Sequence, residues 1–240
     1  MKWCIDAGHC TSGRDTGAVG NGLREQDITW LIADKLRNLL EDAGQEVVMT
    51  REYKDHILGK TENESLNRRS KICNDAGCDR FVSIHGNSFE DPQSHGSEVL
   101  IYAFGGQAEK LAFAVQKEIV AKLGTYDRGV KVKNCSVLRK TNCPAILVET
   151  AFLSNEADSL LLRYRHDDFA QAIFDGICEH CGIDVTDRLE LTTANDIVWE
   201  LGNRGVVTDT EGMLDEINQN PNGRLYWLAK KFANHLREEH

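Results

Sequence analysis

"FVSIHGNS", residues 81–88, is an apolar run that stops at a histidine and gives way to small polar residues. "CIDAGHC", residues 4–10, has the same shape and stops at His9. Short apolar runs bounded by turn residues read as buried strands, and what lies between them decides the architecture. Ile28, Leu31, Ile32, Leu36, Leu39 and Leu40 follow helical spacing up to Gly44. "QEVVMT" (45–50) then reads as a strand, residues 65–76 as a helix, and "SEVLIYAF" (97–104) as a strand. "QAEKLAFAVQKEIVAKLG" (107–124) is an amphipathic helix with a glycine stop. "CSVLR" (135–139) and "AILVET" (145–150) read as two more strands, followed by helices around 156–162 and 167–181. This alternation predicts a three-layer α/β domain. Its strands are too apolar to leave one sheet face wet, so helices are expected on both faces.

The pattern changes after Gly182. "DVTDRLELTT" (184–193) is polar and lacks periodicity, and the segments after it are helical in pattern. Capping signals before residues 196, 212 and 222, and a stripe of Leu225, Leu228, Phe232 and Leu236, predict a small three-helix module over 188–240, behind a domain of residues 1–183. A module of this size is marginally stable alone, so docking or a homodimer through it is expected. The chain carries 28 Lys plus Arg against 38 Asp plus Glu, a formal charge of −10. That excludes non-specific nucleic-acid binding, which needs a basic face. No apolar run is long enough for a membrane-spanning helix, so no membrane insertion is expected. "MKWCIDAGHC" lacks the features of a secretory signal. The eight cysteines are therefore expected as thiols in a reducing cytosol. "CEHC" (178–181) has no second pair at matching spacing to complete a zinc site.

Ligands of open α/β sheets bind at the carboxyl ends of strands, where His9 and His85 fall. A catalytic zinc takes three protein ligands, and two histidines with a glutamate are one common set. Glu25, after the glycine-rich "SGRDTGAVGNG" (12–22), is the candidate third ligand. Its alternative role is to complement the positive end of the following helix. Glu149 ends the apolar run of "PAILVETAF" (144–152). A carboxylate there is costly to bury unless paired or placed in a cleft with a task, and general acid–base catalysis is such a task.

Four blocks then carry a resemblance: "IDAGHC", "DTGAVGNGLREQD", "FVSIHGNS" with "HGSEVLIY", and "RGVKVKNCSVLRKTNCPAILVETAFLSNEAD". In this order they resemble the zinc-dependent N-acetylmuramoyl-L-alanine amidases of the type-3 class, over about residues 1–182. The resemblance implies a mixed sheet of about six strands with helices on both faces. It implies zinc held by His9, Glu25 and His85, Glu149 as the catalytic residue, and Asn87 and Arg139 in the substrate groove. The implied reaction hydrolyses the amide between the lactyl group of muramic acid and L-alanine of the peptidoglycan stem peptide. Cys10 departs from the family pattern and is expected to point away from the site, as the neighbour of a ligand on an extended strand.

The implied substrate lies outside the membrane. With no export signal read, the chain is expected to be made in the cytoplasm and to reach the wall once the membrane opens. A phage or prophage endolysin released by a holin is the setting inferred, with a sporulation amidase as the alternative. A wall-binding protein without turnover and a zinc endopeptidase are the other readings the residues leave open. By analogy with lysins the second module is expected to bind the wall. Acidic residues outnumber basic ones in it, so Trp199, Tyr226 and Trp227 are the candidate anchors.

Overall fold

A computed structural model describes residues 1–10, 15–183, 198, 201, 206 and 209–219. The chain divides into two compact units, Met1–Ile183 and Asp184–His240.

In the first unit β1 (Lys2–Ala7), β4 (Glu46–Met49), β5 (Arg80–Asn87), β6 (Ser97–Ile101), β7 (Asp127–Val132) and β8 (Ala145–Phe152) form one six-stranded sheet. Its order is β4-β1-β5-β8-β6-β7. β6 runs antiparallel to β8 and every other neighbouring pair is parallel, so the sheet is mixed. α1 (Glu25–Asp42), α3 (Gln107–Leu123) and α6 (His166–Cys181) pack together as one layer. α2 (Glu62–Asp75) packs with α4 (Ser136–Lys140), and α5 (Glu156–Tyr164) joins β8 to α6. This is the three-layer arrangement the apolar strands require, since neither face of the sheet can be left to water.

Local chemistry accounts for the boundaries. Thr61 caps α2 by accepting from the Glu64 amide, and Asn155 caps α5 by accepting from Asp158. α3 and α6 end on Gly124 and Gly182, both left-handed at φ 66° and 63°. Within the glycine-rich segment, β2 (Val19–Gly20) and β3 (Leu23–Arg24) make a small hairpin. Its turn is Asn21-Gly22, both at positive φ, the pairing that tight hairpins favour.

The structure corrects the sequence reading at one strand. "CSVLR" is not a strand: Ser136–Lys140 is helical, and the Arg139 amide donates to Cys135 O at 3.0 Å. Adjacent Val137 and Leu138 are both buried, which a strand with one covered face would not do. The sixth strand is instead "DRGVKV", β7. It lies at the sheet edge and is mostly half-exposed or exposed, so it lacks the apolar run that marks the inner strands.

In the second unit α7 (Thr210–Gln219) is helical. Apart from residues 198, 201, 206 and 209, the rest of the expected three-helix module, with Trp199, Tyr226 and Trp227, lies outside the described residues.

Candidate active site

Because β1, β5 and β8 are parallel neighbours, their carboxyl ends lie along one edge of the sheet. Side chains alternate between faces along a strand. In register, Asp6 lies beside Ser83 on the adjacent strand, and His85 beside Glu149. Strand periodicity therefore puts His85 and Glu149 on one face of the sheet, at its carboxyl edge. They face a cleft of about 400 Å³ whose lining includes His9, Asp15, Glu25, His85, Asn87 and Glu149.

His9 reaches the cleft by an unexpected route. β1 ends at Ala7, and His9 stands two residues beyond it in the left-handed region at φ 64°. The turn, rather than strand alternation, separates Cys10 from the site. Cys10 is fully buried, does not line the cleft, and donates its amide to Asp15 O at 2.8 Å. Gly8 and Gly17 let the ligands approach. A Cβ on Gly8 would lie 2.6 Å from His85 Cε1, and one on Gly17 would lie 2.7 Å from both Glu25 Oε2 and His9 Cδ2. Gly17 also has φ 72°, so a side chain there is excluded twice.

Glu25 opens α1 and is 4% exposed. Its Oε1 lies 3.0 Å from His9 Nε2 and 3.1 Å from His85 Nδ1, and accepts from the Gly86 amide at 3.1 Å. Its Oε2 accepts from the Ala18 amide at 2.8 Å. Burial acts to raise the Glu25 carboxyl, but the two histidines outweigh it and hold it well below the usual carboxylate range. The ligand atoms of His9, Glu25 and His85 all lie within 4.8 Å of one another. Two imidazole nitrogens and a carboxylate oxygen at one point, beside an open cleft, fit a zinc ion with a coordination place to spare.

Asp15 is the cleft residue that sequence reading missed. His9 Nδ1 lies 2.7 Å from Asp15 Oδ1, while Asp15 Oδ2 accepts from Arg69 Nη2 at 2.7 Å and from Ser65 Oγ. Arg69 is buried and also lies 3.6 Å from Asp6, which accepts from Thr50 and Ser83. Burial works to raise Asp15, and the His9 hydrogen bond with the Arg69 charge overcomes it, holding the carboxyl at about 2. An ionised Asp15 accepting Nδ1–H fixes the His9 tautomer that presents Nε2 to the ligand point, the usual support for a ligating histidine. The signal was present in the sequence as a carboxylate six residues after His9, but only the fold shows which way it turns.

Glu149 is held differently. It lies opposite His85 in register, and its buried Oε2 has no hydrogen-bond partner among the described residues. Burial pushes its carboxyl above the ordinary range, with His85 opposing and Glu25 reinforcing the shift. Asn87 lines the cleft and donates to Glu98 Oε1 at 3.3 Å. Glu98 in turn accepts from Arg128 at 3.0 Å and from Lys131. Arg139 is exposed on α4, bonds Asn134, and is not among the residues lining the cleft.

The model of one protein family, N-acetylmuramoyl-L-alanine amidase, matches residues 4–179. The chain belongs to this amidase family. The family is named for hydrolysis of the N-acetylmuramoyl-L-alanine amide, and residues 4–179 are the stretch that matches it. The amidase LytC of Bacillus subtilis is 35% identical over 176 residues, covering 72% of this chain and 34% of LytC. This chain thus spans about a third of that relative. The endolysin of Bacillus phage SPP1 is 34% identical over 186 residues, covering 75% of this chain and 64% of the endolysin. Among solved structures, the CwlD amidase from Clostridioides difficile, in complex with the GerS lipoprotein, superposes with a TM-score of 0.70 at 33% identity. That match covers 76% of this chain and 99% of CwlD, so the six-stranded mixed sheet is the amidase fold.

Proposed function

We propose that the protein is a zinc-dependent N-acetylmuramoyl-L-alanine amidase in which His9, Glu25 and His85 hold the metal and Glu149 moves the proton. The observation that carries this reading is the convergence of those three ligand atoms within 4.8 Å, with an unpartnered buried carboxylate on the adjacent strand. A zinc ion held there would polarise the amide carbonyl and acidify a water. The protein's own groups do the rest. Asp15 fixes His9 through Nδ1. Glu25, tied by two backbone amides, keeps its geometry. Glu149, with a free oxygen and a raised proton affinity, takes the proton of the attacking water and passes it to the leaving nitrogen of L-alanine. Asn87 offers its amide to substrate in the cleft. Arg139, exposed on α4 and outside the cleft lining, is carried over as a substrate contact from the resemblance alone.

The setting we propose is a phage lysin that meets the wall after a holin opens the membrane, in keeping with a phage endolysin being among the relatives. No helix among the described residues is long and apolar enough to cross a membrane. Residues 184–240 form a separate compact unit, which suits a wall-targeting or self-pairing module. Truncation near Asp187 separates these roles: loss of wall binding supports targeting, and halving of the mass in solution supports pairing.

The reaction is tested by digesting purified walls and analysing the products by mass. Amidase action frees the amino group of L-alanine and makes no new reducing sugar ends. New reducing ends, or a free amino terminus elsewhere in the stem, would contradict the assigned bond.

A further inference from the structure

The face of the sheet that carries the active site carries a second cluster of metal-ligating side chains below it. Cys4 is two residues before Asp6 on β1, so both point to the side covered by α2. Arg69, which meets Asp6, and Cys73 are four apart on α2 and share one helical face. The Cys4 and Cys73 thiols therefore meet one layer beneath the Asp6–Arg69 pair. Cys78, just before β5, completes the group: the sulfurs of Cys4, Cys73 and Cys78 all lie within 4.8 Å of one another. Cys143, just before β8, puts its sulfur 3.7 Å from that of Cys73. Three of these sulfurs share one point, and Cys143, from a fourth segment, reaches that point through its contact with Cys73.

Packing alone does not require this. The surroundings are apolar, including Phe81, Leu100, Leu138 and Leu147, and aliphatic side chains would fill the same volume. The spacing matches coordination. With Zn–S bonds of about 2.3 Å, the edge of a tetrahedron of sulfurs is about 3.8 Å. The Cys73–Cys143 distance already equals that edge, the sulfurs of Cys4, Cys73 and Cys78 need close by only about 1 Å, and Cys143 completes the set by turning about its contact with Cys73 toward the other two. Cys4 and Cys73 are fully buried and Cys78 is 8% exposed, while Cys143 is half-buried and gives the ion a way in.

We propose that Cys4, Cys73 and Cys78, with Cys143 as the fourth ligand, form a structural site for a thiophilic d10 ion, Zn2+ in the first instance, separate from the catalytic cluster. Binding displaces the thiol protons to solvent, and the ion's charge offsets the buried thiolates. The ion ties α2 to β1 and to the segments leading into β5 and β8. It thereby steadies Arg69, one turn along α2 from Cys73, and through Arg69 the Asp15 that orients His9.

The test is metal counting on the full chain by plasma mass spectrometry. Zinc-loaded wild type should hold about two ions per chain, and the His9→Ala/His85→Ala variant should keep about one. Adding Cys73→Ala to that variant should remove the remaining ion. Cobalt loaded into the His9→Ala/His85→Ala variant should give thiolate-to-cobalt charge-transfer absorption. This variant leaves every cysteine in place, so the spectrum decides even if Cys73→Ala fails to fold. A His9→Ala/His85→Ala protein with neither zinc nor the charge-transfer band would overturn the proposal and return these cysteines to core packing.

Discussion

Glu25 and Glu149 line one cleft, both beside His85, and are held in opposite ways. Glu25 has both oxygens engaged, by two histidines and two backbone amides, and its carboxyl is held down. Glu149 has a buried oxygen with no partner among the described residues, and its carboxyl is pushed up. A carboxylate fixed on every side is suited to hold a cation in place. One with a vacant oxygen and a raised proton affinity is suited to accept and return a proton. Two glutamates in one site thus acquire different work from their surroundings, the general logic by which one fold separates a charged group from an acid–base group.

The comparison can be broken most severely through the ligands. Chelation, or His9→Ala and His85→Ala, should abolish wall hydrolysis, and zinc should restore the chelated wild type but neither variant. Turbidity loss of a wall suspension measures this; full activity in metal-free protein would end the ligand reading. A smaller effect is expected one residue further out. Asp15→Asn keeps the size of the side chain but cannot hold the His9 tautomer as firmly, and should weaken zinc binding by roughly 10–100-fold. Competition with a chromogenic chelator measures it, and unchanged affinity would remove Asp15 from the account.

The smallest effect is in the pH dependence of stability. Burial acts to lower the His9 pKa, but Asp15 and Glu25 outweigh it and raise it to about 9. A raised histidine stabilises the fold fully below its unfolded value, near 6.5, and that contribution fades as pH rises through about 9. Chelated protein should therefore lose thermal stability between these values. Zinc-loaded protein should not lose it there, because the metal takes the place of the proton on His9. Parallel melting curves over that range compare the two, and identical slopes would contradict the proton–metal exchange.

Much of this arrangement was legible in the sequence, for identifiable reasons. Inner strands such as Phe81–Ile84 and Ala145–Thr150 are buried on both faces and so stand out as apolar runs. β7 sits at the edge with exposed positions and was missed, while Val137 in "CSVLR" gave a strand-like signal to a short helix. Strand ends carrying His and Glu were visible as motifs. The left-handed turn at His9 and the reach of Asp15 across to Arg69 were not, because both depend on contacts between residues far apart in the chain. The thiol cluster was hidden for the same reason: positions 4, 73, 78 and 143 share no spacing pattern, and only the stacking of β1, α2 and two strand entries brings them together.

The most direct test of the division between the two glutamates is to measure zinc content and hydrolysis side by side in Glu149→Gln and Glu25→Gln. Glu149→Gln should bind zinc as wild type does and lose hydrolysis by at least ~10²-fold, the low end for general acid–base catalysis. Glu25→Gln should lose zinc affinity, with hydrolysis falling in step with metal content. Zinc lost from Glu149→Gln and retained by Glu25→Gln would reverse the roles and contradict the account.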